Sequence, residues 1–507
     1  MPERAESPSG RHHRPEISIP AQRAAAEDIT QAIPKVRADW REAPTTRFPA
    51  VQRLVEVTRA LPRVPRGVAL RRPNLETEVT VKANPWLVAF LFAVVGAAAA
   101  AWFSWRGAPS WSIYGIAVSV LLGAKLLLSL LPPPRWEPAP EGKRVCVVVP
   151  IFNEDPEILA RCLASIDAQT YQPTHVRIID DGSSAPEAHN YAIQWAMDRA
   201  NARVIFQHNA GKREAMGQAF RELGEQVDLF VCVDSDTVLE PEAIREGLAP
   251  FSDPRTAAVT GTVVALNQDR GLLPGLLDLR YVNAFLYERA AYSRLGSVLC
   301  VCGSLAIWRA DIVRAHLDDF LGQQFLGEPC SYGDDRHLTN LSLLHGRVVL
   351  AHKAIARTAV PEKGGHLIRQ QVRWGRSFFR ESLWALRNLG PKRAAWWLSA
   401  LESVSWAGFT VGMMLSLFVL PAISGQAHWL DYLGWVFLAG YGRSVHVFSV
   451  RRTSWARWRQ AAIFLLAPAY GMIHVLVLLP LRLYSLATLR ATSWGTRSGG
   501  VEVAETA

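Results

Sequence analysis

The chain has 507 residues, half of them hydrophobic and 20% charged, with 18 Trp, 6 Cys and a formal net charge of +10. It is long enough for about three domains, too apolar for a disordered chain and too long for a disulfide-stapled mini-protein. Six cysteines without a C-x-x-C pair argue against a zinc module or a secreted disulfide framework. The nearest pair, Cys300 and Cys302, reads as small buried apolar residues in a reducing compartment. The basic excess fits either nucleic acid or an anionic membrane surface, and its distribution along the chain decides between them.

Residues 1–84 carry 15 Lys/Arg against 10 Asp/Glu, without sustained apolar periodicity, and read largely as a disordered basic tail. They are not a signal peptide, because the first long apolar run begins only at Pro85. Residues 85–142 are expected to form a transmembrane hairpin. Its first arm, 85–105, has no charge and matches the roughly 20 residues needed to cross hydrocarbon; its second, 111–131, contains Lys125. Residues 143–365 alternate short apolar strands with amphipathic helices, the pattern of an α/β domain, and carry a net charge of −6.

Residues 366–507 carry a net +10. The basic, aromatic-laced stretch His366–Leu389, within 366–395, suits a bilayer interface. Spans are predicted at about 398–420 and 430–448 within 396–460, and the four-Arg loop 451–459 belongs on the cytoplasmic side by the positive-inside rule. The apolar stretch 461–489 is interrupted by Pro468 and Pro480 and has basic flanks on both sides, so within 461–507 it reads as interfacial or re-entrant. The resulting topology is a multi-pass protein with both termini and the acidic block inside. Sixteen of the 18 Trp lie outside 143–365, where indoles sit at membrane interfaces. Lys125 and Arg443, inside predicted spans, face a polar lumen or snorkel. Nucleic acid is disfavoured as a partner because the folded soluble block is acidic.

The chemistry lies at the ends of predicted strands. VCVVVPIF (145–152) reads as a buried parallel strand, followed by a helix with Asp155 as N-cap and Pro156 in its first turn. HVRII (175–179) runs into Asp180-Asp181-Gly182-Ser183, where acidic groups can accept hydrogen bonds from a base or ribose, or cap a turn. Gly211-Lys212-Arg213 opens a helix and suits phosphate oxygens, or is a solvated charge pair. LFVCVDSDT (229–237) runs into Asp234 and Asp236. Read as extended chain, it places both carboxylates on one side, an oxygen-only set for Mg²⁺ or Mn²⁺. In Gly333-Asp334-Asp335-Arg336-His337 a carboxylate at a helix start is a cap or a general base, while His337 reads as structural. Gln370-Gln371-Val372-Arg373-Trp374 offers an Arg for phosphate and an indole face for a sugar, or an interfacial anchor.

The ordered set DDGS, GKR, DSDT, GDDR and QxxRW, joined to membrane helices, resembles the processive family-2 glycosyltransferases, the hyaluronan, chitin and cellulose synthases. QQFLGEPCSYGDDRHLTN (323–340), QQVRWGRSFFRES (370–382) and the stretch 467–497 resemble hyaluronan synthases of the streptococcal kind, and the likeness covers roughly residues 85–500. It implies a GT-A domain inserted between transmembrane and interfacial helices at the plasma membrane, with UDP-GlcNAc and UDP-GlcA as donors and a growing polysaccharide as acceptor. The rivals are a chitin-type synthase using UDP-GlcNAc alone or another exopolysaccharide synthase and, more remotely, a non-catalytic membrane transporter or scaffold, against which the intact Asp234, Asp236, Asp335 and Trp374 argue. By the resemblance, Asp180 and Asp181 contact the uridine end, Lys212 and Arg213 lie along the nucleotide, and Asp234 and Asp236 hold Mg²⁺ or Mn²⁺. Asp335 is the base with Asp334 its neighbour. Gln370, Arg373 and Trp374 line the channel mouth, and Trp494, Thr496 and Arg497 belong to a gating loop over the nucleotide. Gly303 and Ser304 fall in the acceptor segment, which departs from the family's G-P-L by having Ser304, with Trp308 near its end where a Tyr is usual.

Overall fold

The computed structural model describes residues 76–82, 84–106, 113–425 and 429–491. Eight strands build one mixed sheet: β1 (Val145–Ile151), β2 (His175–Asp180), β3 (Ala202–Phe206), β4 (Leu229–Cys232), β5 (Thr237–Leu239), β6 (Thr256–Ala265), β7 (Ala306–Arg309) and β8 (Arg347–Thr358). Their order in space is β3-β2-β1-β4-β7-β6-β8-β5. The strands β1 to β4 run parallel, β7 is antiparallel to both β4 and β6, and β8 is parallel to β6 and antiparallel to β5. All of β1 is buried because its alternating side chains feed two cores: Val145, Val147 and Val149 enter one, Cys146 and Val148 the other. The carboxyl ends of β1, β2 and β4 therefore share one edge of the sheet, where open α/β sheets bind ligands.

The local expectations for β1, β2 and the helix after β1 hold closely. That helix runs Pro156–Asp167, and Asp155 accepts from the N–H groups of Glu157 at 2.7 Å and Ile158 at 3.2 Å. The expected extended DSD segment is different. The chain leaves β4 at Cys232 and turns, with Thr237 N–H donating to the Asp234 carbonyl at 3.0 Å, before β5 begins. Asp234 and Asp236 thus flank a turn, and strand alternation does not set their directions.

Helices α1 (Pro85–Arg106), α2 (Ile113–Leu130), α3 (Lys212–Leu223), α4 (Leu272–Val282), α5 (Asp334–Leu343), α6 (Gly364–Asn388), α7 (Ala394–Met414) and α8 (Trp429–Ser444) recur below. Beyond α7, a π-helical turn (Leu415–Val419) leads into a last short helix, Leu420–Ser424. The region expected as a span at 430–448 is helical only to Ser444; Val445–Ser449 is a mostly buried 3₁₀ turn. The segment expected as interfacial or re-entrant at 461–489 is one helical run, Arg457–Ala487. Its two prolines cause no fold-back. Pro468 follows an irregular turn at Leu466 and Pro480 follows a π turn, so each stands in a new first turn where no helical N–H is needed. Among the described residues, Pro85–Trp102 and this 31-residue run are long and apolar enough to cross a membrane.

Part of the stretch expected as a disordered tail is a strand. Val79–Val81 pairs antiparallel with Val450–Arg452, inside the basic loop after α8. The same loop docks on the acidic domain: Arg452 and Asp278, both almost fully buried, meet at 2.7 Å, and Arg459 lies 2.6 Å from Asp269. Removing one partner of a buried pair strands the other, so Arg452→Met should lower stability by about 3–5 kcal/mol. Pairing it with Asp278→Leu should recover most of that loss, read as the unfolding midpoint of the detergent-purified protein.

Candidate active site

The β2 end and the α3 start are knit together by carboxylates. Asp180 accepts from Ser183 N–H at 2.8 Å and meets His189 Nδ1 at 2.8 Å, and the imidazole lies against Phe206 with ring centroids 4.0 Å apart. Burial works against its charge, but His189 and Ser183 outweigh it and hold the carboxyl below the usual range. Asp181 accepts from Gln207 Nε2 at 2.6 Å and from the N–H groups of Ala210 and Gly211 at 2.8 and 2.9 Å. Both aspartates are 1% exposed, so here they build the loops around the expected uridine end, and neither lines the large cavity described below. Gly182 seals this junction. Its φ is +79°, and a Cβ there would stand 2.7 Å from the Asn209 backbone nitrogen. Gly182→Ala should therefore force the two loops apart and weaken UDP binding at least tenfold, about 1.4 kcal/mol, measured by calorimetry.

At the N-terminus of α3 the two expected nucleotide cations part. Lys212 faces the site, bonded to Asp234 and 3.9 Å from Asp334. Burial alone would lower its pKa; Asp234 and Asp334 reverse this and raise it. Arg213, one residue on, points the other way on the helix. It is 4% exposed, donates to the Phe320 carbonyl at 3.0 Å and lies over that ring, so it does not line the cavity described below.

Around the turn after β4, Ser235 Oγ donates to Glu154 at 2.5 Å, and Asp236 accepts from Thr358 Oγ1, at the end of β8, at 3.0 Å. Ser304 Oγ lies 3.4 Å from Asp234 Oδ2, and a Cβ on Gly303 would sit 2.8 Å from Lys212 Nζ. The expected acceptor segment thus packs on the expected metal carboxylates. Trp308 is 1% exposed within β7, part of the sheet core. Glu154 and Thr358 were not foreseen as site residues; only the fold brings them to the DSD turn.

Asp334 and Asp335 begin α5 behind Gly333, whose φ is +90° and whose missing side chain admits Ser377 of α6. Asp335 lies 3.4 Å from Cys300 Sγ and accepts from Arg336 N–H at 2.8 Å. Burial first, and Asp334 second, raise its pKa. Burial also pushes the Cys300 thiol up to about 12, so this sulfur is an inert wall. His337 is structural, as read from sequence. It bonds Glu381 at 3.1 Å and Gln323 at 2.9 Å inside the core.

Asp234, Asp236, Asp335, Lys212, Gly303, Ser304, Gln370, Arg373 and Trp374 all line one cavity of about 640 Å³, together with Glu154. The cavity continues between helices to Phe409 in α7 and Trp435 and Val436 in α8. Lys125 and Arg443 line it too, paired with Glu402 at 2.6 Å and with Glu288 respectively, so both side chains face the cavity. Helix α6 carries Trp374 and is gripped at its back by the last described residues. Arg380 donates to the Leu489 carbonyl at 3.0 Å and the Ala491 carbonyl at 3.0 Å, and Tyr332 donates to Ala491 at 2.7 Å. Trp494, Thr496 and Arg497 lie outside the described residues.

Carboxylates at the ends of a mixed sheet, an aspartate pair at a helix start and an indole share one cavity, a setting that suits sugar transfer. The profile described as "Glycosyltransferase like family 2" matches residues 140–377, the same GT-A domain. A hyaluronan synthase of Streptococcus pyogenes is 38% identical over 408 residues, covering 77% of this chain and 92% of that one. An N-acetylglucosaminyltransferase of Mesorhizobium japonicum is 34% identical over 384 residues, covering 74% and 86%. Among solved structures, a mannosyltransferase of Pyrobaculum calidifontis is 18% identical, at a TM-score of 0.48, covering 72% of this chain and 98% of that one. The chain belongs to the hyaluronan synthase family of family-2 glycosyltransferases.

Proposed function

We propose that the protein is a membrane-embedded, processive, inverting β-glycosyltransferase that polymerises hyaluronan from UDP-GlcNAc and UDP-GlcA and extrudes it through the helical region. The observation that carries this reading is the single cavity holding Asp234, Asp335 and Trp374 and running on between the helices. Asp335 takes the proton of the acceptor hydroxyl, and its raised pKa makes it a stronger base than an ordinary aspartate. Trp374 carries the acceptor sugar on its ring face. Lys212 and Arg373 stabilise the charge that gathers on the departing UDP. One base and no enzymic nucleophile give inversion from an α-linked donor to a β linkage.

Asp234 and Asp236 fit a divalent cation. They offer only oxygen, they line the cavity wall, and Asp234 already attracts the Lys212 ammonium. Two protein carboxylates are the share a Mg²⁺ or Mn²⁺ site takes when substrate phosphates complete it. When bound, the cation would neutralise the diphosphate. The α/β block and both termini are placed on the cytoplasmic side of the plasma membrane, consistent with the basic flanks of the helices.

Purified protein given Mn²⁺ or Mg²⁺ and labelled UDP-sugars should make polymer only when both donors are present, and hyaluronidase should degrade it. The similarity to a rhizobial N-acetylglucosaminyltransferase favours one alternative, a chitin-type polymerase. Polymer from UDP-GlcNAc alone would establish that alternative and sink the hyaluronan reading.

A further inference from the structure

Three elements meet where the cavity passes Trp374. Helix α4 brings Arg280, whose guanidinium lies 5.3 Å from the centre of the Trp374 ring and 6.0 Å from that of Tyr470. Helix α6 brings Trp374 itself. The helical run 457–487 brings Tyr470, His474 and Arg482. The third element sits close because Gly375 has no side chain: a Cβ there would stand 2.6 Å from Ser485 Oγ, so the turn bearing Arg482 presses against the residue next to Trp374.

The charges along this wall are unequal. Lys125 is paired with Glu402, and Arg443 with Glu288. Among the described residues, no ion pair neutralises Arg280 or Arg482, and Arg280 Nη1 is buried without a hydrogen-bond partner. Two like charges in a shared, partly desolvated cavity repel each other, so a folded protein keeps them there at a cost. A guanidinium with a buried, unpartnered N–H group is matched by a planar anion, and carboxylate can meet it bidentately. A neutral N-acetylhexosamine chain offers no such partner, whereas a uronate offers one in every second sugar.

We infer that Arg280 and Arg482 form a carboxylate-binding site that holds a uronate of the nascent polymer beside the sugar stacked on Trp374. The inference rests on the hyaluronan reading above and names the residues that would recognise its acidic sugar.

The test uses the full-length enzyme in nanodiscs, with Arg280→Gln and Arg482→Gln made singly and together. Affinity is measured for even-numbered hyaluronan oligosaccharides, for chitin oligosaccharides of the same length, and for UDP. Hyaluronan affinity should fall about tenfold to a hundredfold in the double variant, the loss expected for hydrogen bonds to a charged group. Chitin oligosaccharide and UDP affinity should stay at wild-type values, and product chains made from both donors should shorten. Arg280→Lys keeps the charge and should recover much of the hyaluronan affinity, which separates charge recognition from packing against Trp374. If the wild type needs both donors and the double variant binds hyaluronan oligosaccharides normally, the carboxylate site is overturned and the function reading stands. If the wild type makes polymer from UDP-GlcNAc alone, both fall.

Discussion

Asp335→Asn should reduce sugar transfer by about 10²–10⁴-fold, the span expected when a general base is removed, while UDP still binds. The substitution keeps size and the Arg336 N–H contact but removes the carboxylate proposed to take the acceptor proton. The raised pKa of Asp335 adds a pH signature. Its carboxylate must be ionised to act, so turnover holds above the raised pKa and is lost as pH falls through it. That acid limb should lie above the value of about 3.9 for a free aspartate. Burial is the larger cause of the shift and Asp334 the next, so Asp334→Asn should move the limb to lower pH without bringing it to the free value. A pH–rate profile of polymer synthesis checks this; a limb at the free value in the wild type would remove Asp335 from the base role.

Asp234→Asn should lower kcat/KM on the order of a thousandfold, because a cation at this position supplies several kcal/mol of charge stabilisation. The loss has two parts. One proposed metal ligand disappears, and Lys212 keeps Asp334, at 3.9 Å, as its ion-pair partner. A partly buried ammonium with a weakened partner then competes for whatever anion enters. The variant should still bind UDP, with an affinity that no longer responds to Mn²⁺. Calorimetry with and without the cation distinguishes the outcomes: metal-stimulated binding equal to wild type would free Asp234 from the ligand role.

Much of the catalytic domain is legible in the sequence because buried parallel strands are unbroken apolar runs. VCVVVPI and HVRII declare themselves, and acidic residues directly after such runs fall at the sheet's carboxyl edge. What is not legible depends on direction within a turn or on distant chain. Neighbouring residues on a helix point about 100° apart, so Lys212 reaches the cavity and Arg213 the core. The DSD segment reads as strand because Phe230 to Val233 are apolar, yet a turn bond at Thr237 ends the extension. Glu154 meets Ser235 only because β1 and β4 are neighbours in the sheet. Arg280 and Arg482, 202 positions apart in the chain, belong to no recognisable motif, and only the approach of Ser485 to Gly375 brings them to one wall. The prolines at 468 and 480 leave the run helical for a local reason: each stands in a new first turn, after an irregular turn at Leu466 and a π turn respectively, where no helical N–H is needed.

The antiparallel pairing of Val79–Val81 with Val450–Arg452 bears on how the enzyme can be divided. Glu78, just before that short strand, pairs with Arg357, which also forms an ion pair with Glu240 at 2.9 Å, and the next residue, Thr358, holds Asp236. The segment before the first helix is therefore part of the scaffold of the chemical centre. A catalytic fragment cut at residues 143 and 365 would expose Arg357 and Asp278 without Glu78 and Arg452, their partners from outside it. The α/β domain is thus tied to the chain on either side of it by ion pairs, Glu78 with Arg357 and Arg452 with Asp278, and a cut at those positions breaks both.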